Sequence, residues 1–143
     1  MRTVRRAQKT SLTSEELVEL AARTLVANKG EDPLILDVRG LSGLWDYFIL
    51  CSGGSKRHVQ ALAQHLQEDL GRAGVKPMGM EGLEDGQWVL LDYVDVVIHL
   101  FIKPLRDFYD LEGLWVEATR LPVKDLTPNH IQGNPTPDAQ ERP

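Results

Sequence analysis

The spacing of apolar residues changes several times along this chain, and each change predicts an element. Leu17, Leu20, Ala21, Thr24 and Leu25 recur at helical intervals and so share one face of a helix. Thr13 stands just ahead with Glu16 three residues on, the pattern of a capping box, and Gly30 supplies the stop. Residues 33–39 (PLILDVR) and 45–52 (WDYFILCS) read as strands separated by a turn at 40–44. The second is nearly continuous in apolar side chains, as expected of a strand covered on both faces. Ser55 caps the next helix, whose face carries Val59, Leu62, Ala63, Leu66 and Leu70 before Gly74 closes it. Residues 76–81 predict a short strand, which Pro77 and Gly79 place near a sheet edge. Residues 88–93 and 96–102 are two further strands joined by a turn at Val94 and Asp95. Pro104 opens a helix at a position that tolerates proline, with Leu105, Phe108 and Tyr109 to pack, and 110–118 continues as a second helical piece or an irregular clasp.

The order α-β-β-α-β-β-β-α predicts an α/β fold with a mixed sheet and helices against it, the strand at 45–52 and its helix forming the crossover unit. Residues 13–118 form the single expected domain. Residues 1–12 are a flexible basic arm, and 119–143 a disordered Pro-rich tail. Pro122, Pro128, Pro135, Pro137 and Pro143 fall there among Asn, Thr, Gln and Asp, too little apolar surface to order a segment.

Charge narrows the partners. The 143 residues carry a net charge of −5, which argues against a general nucleic-acid binder and suits a basic protein partner. Cys51 is the only cysteine and lies in an apolar run, so a buried, inert thiol in a reducing compartment is expected. No apolar run approaches the ~20 residues of a membrane span, and the arm lacks the apolar core of a secretory signal. A cytoplasmic location follows.

The strand at 88–93 is apolar on both sides. Trp88, Leu90 and Asp92 alternate with Val89, Leu91 and Tyr93. Either both faces are covered within the domain or one is a docking surface. Trp is costly to expose and is enriched at binding hot spots. Beside Trp88, Leu90 offers apolar area and Asp92 an acceptor for a Lys or Arg. Glu81, ending the preceding strand, supplies a second acid, and Tyr93 and Asp95 complete the candidate contact set. The alternative for Trp88 is a core-capping role at the strand start. Trp45 and Trp115 read as core or clasp residues, or one of them as lining a dimer contact. Arg106 and Asp110 have the spacing of a weak surface ion pair.

Three other chemistries have local signals in the chain. The SGGS turn at 52–55, after a strand and before a helix, resembles a phosphate cradle. No acidic pair follows it, and Asp92 and Asp95 point to different sides, whereas two-metal catalysis needs converging carboxylates. A plain strand-to-helix turn is the favoured reading, and no enzyme, cofactor or metal is expected. His58 and His65 share a helix face but stand roughly two turns, ~10 Å, apart, too far for one ion. His99, within a strand, reads as a core or edge histidine bonded to a neighbour. Lys56, Arg57 and His58, with the basic arm, allow at most a minor RNA contact.

The motifs DYFILCSGGSKRHVQALAQHL (46–66), Met80-Glu81-Gly82, GQWVLLDYVDVVIHLF (86–101) and RDFYDLEGLW (106–115), in this order, resemble the ribosomal silencing factor (Iojap-related) family over roughly residues 13–117. The resemblance implies a nucleotidyltransferase-like fold without the catalytic carboxylates. It also implies a non-catalytic translation repressor that binds the large ribosomal subunit through its basic protein L-fourteen. Such a factor blocks joining of the small subunit under nutrient limitation and forms a homodimer when free. The W-V-L-L-D segment is where such factors meet their partner, which favours docking over core-capping for Trp88. A nucleotide-binding or nucleotidyl-transferring enzyme using the SGGS turn, or a generic homodimerisation module, are the alternatives. The arm and the tail match nothing in the family pattern.

Overall fold

A computed structural model describes residues 12–123. The basic arm up to residue 11 and the tail beyond residue 123 lie outside the described residues. In chain order the elements are α1 (Ser14–Ala27), β1 (Glu31–Asp37), β2 (Tyr47–Gly53), α2 (Lys56–Arg72), β3 (Gly79–Glu81), β4 (Trp88–Asp92), β5 (Val96–Ile102), α3 (Lys103–Tyr109), α4 (Leu111–Leu114) and β6 (Thr119–Pro122). The strands form one sheet in the order β3-β4-β5-β2-β1-β6. It is mixed: β2 runs parallel to β5, while the other pairs are antiparallel. A parallel pair needs a long crossover, here α2 followed by the β3–β4 hairpin.

The local signals act as the spacing suggests. Thr13 and Glu16 form a reciprocal capping box at α1, and the Ser55 hydroxyl caps α2 by accepting the His58 N–H. β2 is buried along its whole length because it lies inside the sheet with both faces covered. Its odd-numbered residues Tyr47, Ile49 and Cys51 meet α1 and α2, together with Val89, Leu91, Ile98 and Leu100. Phe48 and Leu50 point the other way, into a second cluster with Leu36, Val97 and Phe101. The Cys51 thiol is free and buried, and burial pushes its pKa up to about 12.

Several expectations are corrected. The segment assigned to the tail begins as structure: Thr119–Pro122 pairs with β1 through Leu34↔Pro122 to Asp37↔Thr119, and Val123 is buried. The backbone of β1 needs a second partner, and β6, at the edge of the sheet, can end in a residue without an N–H. β1 starts at Glu31 rather than 33, with an irregular register between Glu31 and Leu34 that accommodates Pro33. Trp45 precedes β2 and packs its ring 5.3 Å from Phe48. Trp115 meets Phe48 edge-on at 5.0 Å, so both tryptophans close the second cluster.

Arg106 forms no surface pair with Asp110. Its guanidinium is buried and donates to the Asp32 carbonyl at 2.8 Å, the Ser52 hydroxyl at 3.0 Å and Glu112 Oε2 at 3.1 Å. That spends the charge on fixing α3 and α4 to the sheet. Phe108, expected to pack, is 75% exposed.

Candidate docking surface

The two sheet faces are covered unequally. α1 and α2 cover one. On the other, Leu105, Leu111 and Trp115 of the α3–α4 segment pack on the second cluster, and Trp88 and Leu90 at its margin stay half-buried. The register fixes what lies there. Trp88 pairs with Phe101, Leu90 with His99 and Asp92 with Val97 across β4–β5, while Glu81 pairs with Leu90 across β3–β4. Residues directly opposite in antiparallel strands share a face. Glu81, Leu90 and His99 therefore form one row, flanked by Trp88 on one side and Asp92 on the other.

Trp88 is held from three directions. Its ring lies 5.2 Å from Phe101 and 4.9 Å from Tyr109, and its Nε1–H donates to His99 Nδ1 at 3.2 Å. The indole nitrogen can only donate, so His99 is neutral at Nδ1 and carries its proton on Nε2. Burial, with 8% of the residue exposed, drives the His99 pKa down to about 4.

The other candidate residues divide. Glu81 is exposed on the Trp88 side of the hairpin, and Asp92 is half-buried there with Oδ1 accepting the Val94 N–H at 2.8 Å. Gly82, the last residue of Met-Glu-Gly, has φ +84, and a Cβ there would run into the Trp88 carbonyl oxygen. Only glycine lets that carbonyl come so close. Tyr93 does not belong to the surface: it is 6% exposed and packs in the helix-side core. One residue further along a strand changes face, which separates it from Asp92. Asp95 sits in the turn at the sheet end, its carbonyl accepting the Asp46 N–H at 2.7 Å. The structure thus brings Trp88, Leu90, Asp92 and Glu81 together and leaves Tyr93 out. It adds His99, as the acceptor beneath Trp88, and Tyr109, as the ring beside it.

The SGGS turn is engaged internally. The Gly54 N–H donates to His58 Nδ1 at 3.0 Å, and His58 Nε2 then donates to the Asn28 carbonyl at 3.0 Å, tying the end of α1 to the start of α2. Gly53 makes room for Val59, whose Cγ2 would lie 2.8 Å from a Cβ, and the Glu31 carboxylate stands beside Gly54. Glycine here serves close packing, and a phosphate would compete with His58 for an amide and face a carboxylate. Among the described residues no three His, Cys, Asp or Glu side chains converge as metal ligands.

The profile of the family described as ribosomal silencing factor during starvation (RsfS) matches residues 11–143, and so takes in the tail that was expected to lie outside the family pattern. The chain belongs to this family. The ribosomal silencing factor of Bacillus subtilis is 37% identical over 115 residues, covering 80% of this chain and 95% of that one. The ribosomal silencing factor of Chromobacterium violaceum is 44% identical over 101 residues, covering 71% and 83%. A crystal structure of a Chromobacterium violaceum protein superposes with a TM-score of 0.71 at 42% identity, over 73% of this chain and 88% of that one. The mixed α/β architecture is therefore that of solved members of the group.

Proposed function

We propose that this protein is a ribosome-associated translation repressor acting in the cytoplasm. It docks on the large ribosomal subunit, through the basic protein L-fourteen, by the face that carries Trp88, Leu90, Asp92 and Glu81. The bulk of the domain then excludes the small subunit by occupying its joining surface. No bond is made or broken; affinity and position suffice, and no enzymatic step is required.

One observation carries the reading: Trp88 and Leu90 lie half-buried at the open margin of the second sheet face, with Asp92 beside them on β4 and Glu81 on the adjoining edge strand β3. Such an apolar centre with an acidic rim complements a basic protein surface, and the charges steer encounter as well as fix register. A buried tryptophan at the centre of such a contact is worth ~2 kcal/mol or more. Names of the relatives, ribosomal silencing factors in both bacteria, support a ribosomal target. RNA is at most a minor contact, and self-association of the free protein would compete with docking if the surfaces overlap.

The test mixes purified large and small subunits and follows their joining by light scattering. Large subunits incubated beforehand with the protein should join less, and the effect should weaken at high salt, because exposed charges are screened within ~10 Å at 0.1 M. Unchanged joining at saturating protein would reject the proposal.

A further inference from the structure

The rings around Trp88 do not stop at the sheet. Tyr109, 46% exposed, stacks obliquely on Trp88 with centroids 4.9 Å apart, and Phe108, 75% exposed, meets Tyr109 edge-on at 5.0 Å. Three aromatic side chains therefore run without a break from the sheet margin onto α3. The anchoring of that helix lies elsewhere: Leu105 packs on the second cluster and Arg106 is buried against Ser52, Asp32 and Glu112. The Phe108 side chain contributes little to the fold, and an exposed apolar patch continuous with a binding face marks an interaction site. Its charge environment is acidic. Asp107 is 65% exposed in its side chain and meets Lys103 only at 3.7 Å, while Asp110 closes the helix in an exposed position.

We propose that the Phe108–Tyr109 edge of α3 is a second lobe of the Trp88 docking surface. It receives an arginine- or lysine-bearing loop of the same basic protein partner. The ring faces would take the cation, which binds aromatic faces within ~6 Å of the centroid, and Asp107 would accept its N–H groups. An overall acidic chain of this kind is poorly suited to stacking on RNA bases at the same edge. The inference rests on the docking reading above and adds to it a position on α3 and the chemistry of what it grips.

The experiment titrates fluorescently labelled Phe108→Ala, Asp107→Lys and Glu81→Lys variants with purified large subunits, alongside the parent chain. Phe108→Ala should keep the parent's circular dichroism and melting temperature, since the side chain lies outside the core. It should weaken binding by about tenfold or more, as truncation of an aromatic anchor does. Asp107→Lys should weaken it as well. Parent-like binding by Phe108→Ala with weakened binding by Glu81→Lys would overturn this inference alone. Parent-like binding by all three would overturn the docking reading with it. A Phe108→Ala chain that binds subunits normally but no longer self-associates on sedimentation would assign the edge to a second copy, and also overturns the proposal.

Discussion

Trp88 and His99, on neighbouring strands, are joined by an indole N–H to imidazole hydrogen bond of 3.2 Å. This bond sets the orientation of the largest side chain on the candidate docking surface. Replacing His99 by Phe would keep an aromatic ring between Phe48 and Phe101 but leave the indole N–H without its acceptor. The expected loss is about 1–2 kcal/mol of stability, with a clear shift of the assigned Trp88 indole resonance in a nitrogen-proton NMR spectrum. His99→Gln, which restores an acceptor, should recover part of both. An unmoved indole resonance in His99→Phe would show that the bond does not position Trp88.

The same histidine gives a pH dependence of definite sign. In the unfolded chain its imidazole protonates near the ordinary 6.5, whereas in the fold burial holds it off until about 4. Between those values the unfolded chain binds more protons, so stability falls as pH is lowered through that window; above 6.5 this group adds no slope. At ~1.4 kcal/mol per pH unit, the His99 contribution amounts to about 3 kcal/mol. Urea unfolding of the parent and of His99→Phe at pH 7 and pH 4.5 should show the variant losing distinctly less stability than the parent. Equal losses would mean that His99 is not the group that titrates.

Tyr93 carries a buried hydroxyl with no hydrogen-bond partner among the described residues, and burial pushes its pKa up to about 12. Removing an unsatisfied buried polar atom relieves its desolvation penalty, ~1–3 kcal/mol when nothing compensates it. Tyr93→Phe should therefore unfold at equal or higher urea concentration than the parent and bind large subunits unchanged. A drop in stability would reveal a partner for the hydroxyl, and a drop in binding would return Tyr93 to the docking surface.

Val94 sits at the tip of the β4–β5 turn with φ +74, closed by the Asp95 N–H donating to the Tyr93 carbonyl at 2.9 Å. This is the strained γ-turn geometry, and a β-branched residue is poorly suited to it. Val94→Gly should raise stability by about 1 kcal/mol, the strain released being partly offset by the freedom glycine adds to the unfolded chain. Chemical denaturation measures this directly; a loss of stability would mean that Val94 packing outweighs the backbone strain.

Much of this was legible in the chain. Helix faces and caps declared themselves because a 3.6-residue repeat and a capping box are local signals. The eight-element order is present as read, and α4 and β6 follow it. The placement of β3 at an edge followed from Pro77 and Gly79. β6 was hidden because its pairing with β1 spans more than 80 residues of chain and its proline looks like the start of the tail. The Arg106 contacts, to Asp32 and Ser52, are also remote in sequence, 74 and 54 residues away.

The site was half legible. Alternation placed Trp88, Leu90 and Asp92 on one face, and Glu81 joined them through its pairing with Leu90. The same alternation argued against Tyr93, which lies one residue beyond Asp92. His99 was within reach too: counting outward from the Tyr93–Val96 pair that closes the turn brings Leu90 opposite His99 and Trp88 opposite Phe101. What no pattern showed was which side of α3 faces the sheet. Leu105 and Phe108 have helical spacing for a common face, yet buried Arg106 sets the rotation of this short helix and leaves Phe108 outside.

The measurement that tests the central claim most directly is co-sedimentation of the parent and of Trp88→Ala with purified large subunits, each protein's melt recorded beforehand. The parent should pellet with large but not small subunits, less so at high salt, and Trp88→Ala, though still showing a cooperative melt, should stay in the supernatant. A folded Trp88→Ala chain that pellets like the parent would contradict the claim that this face docks on the ribosome.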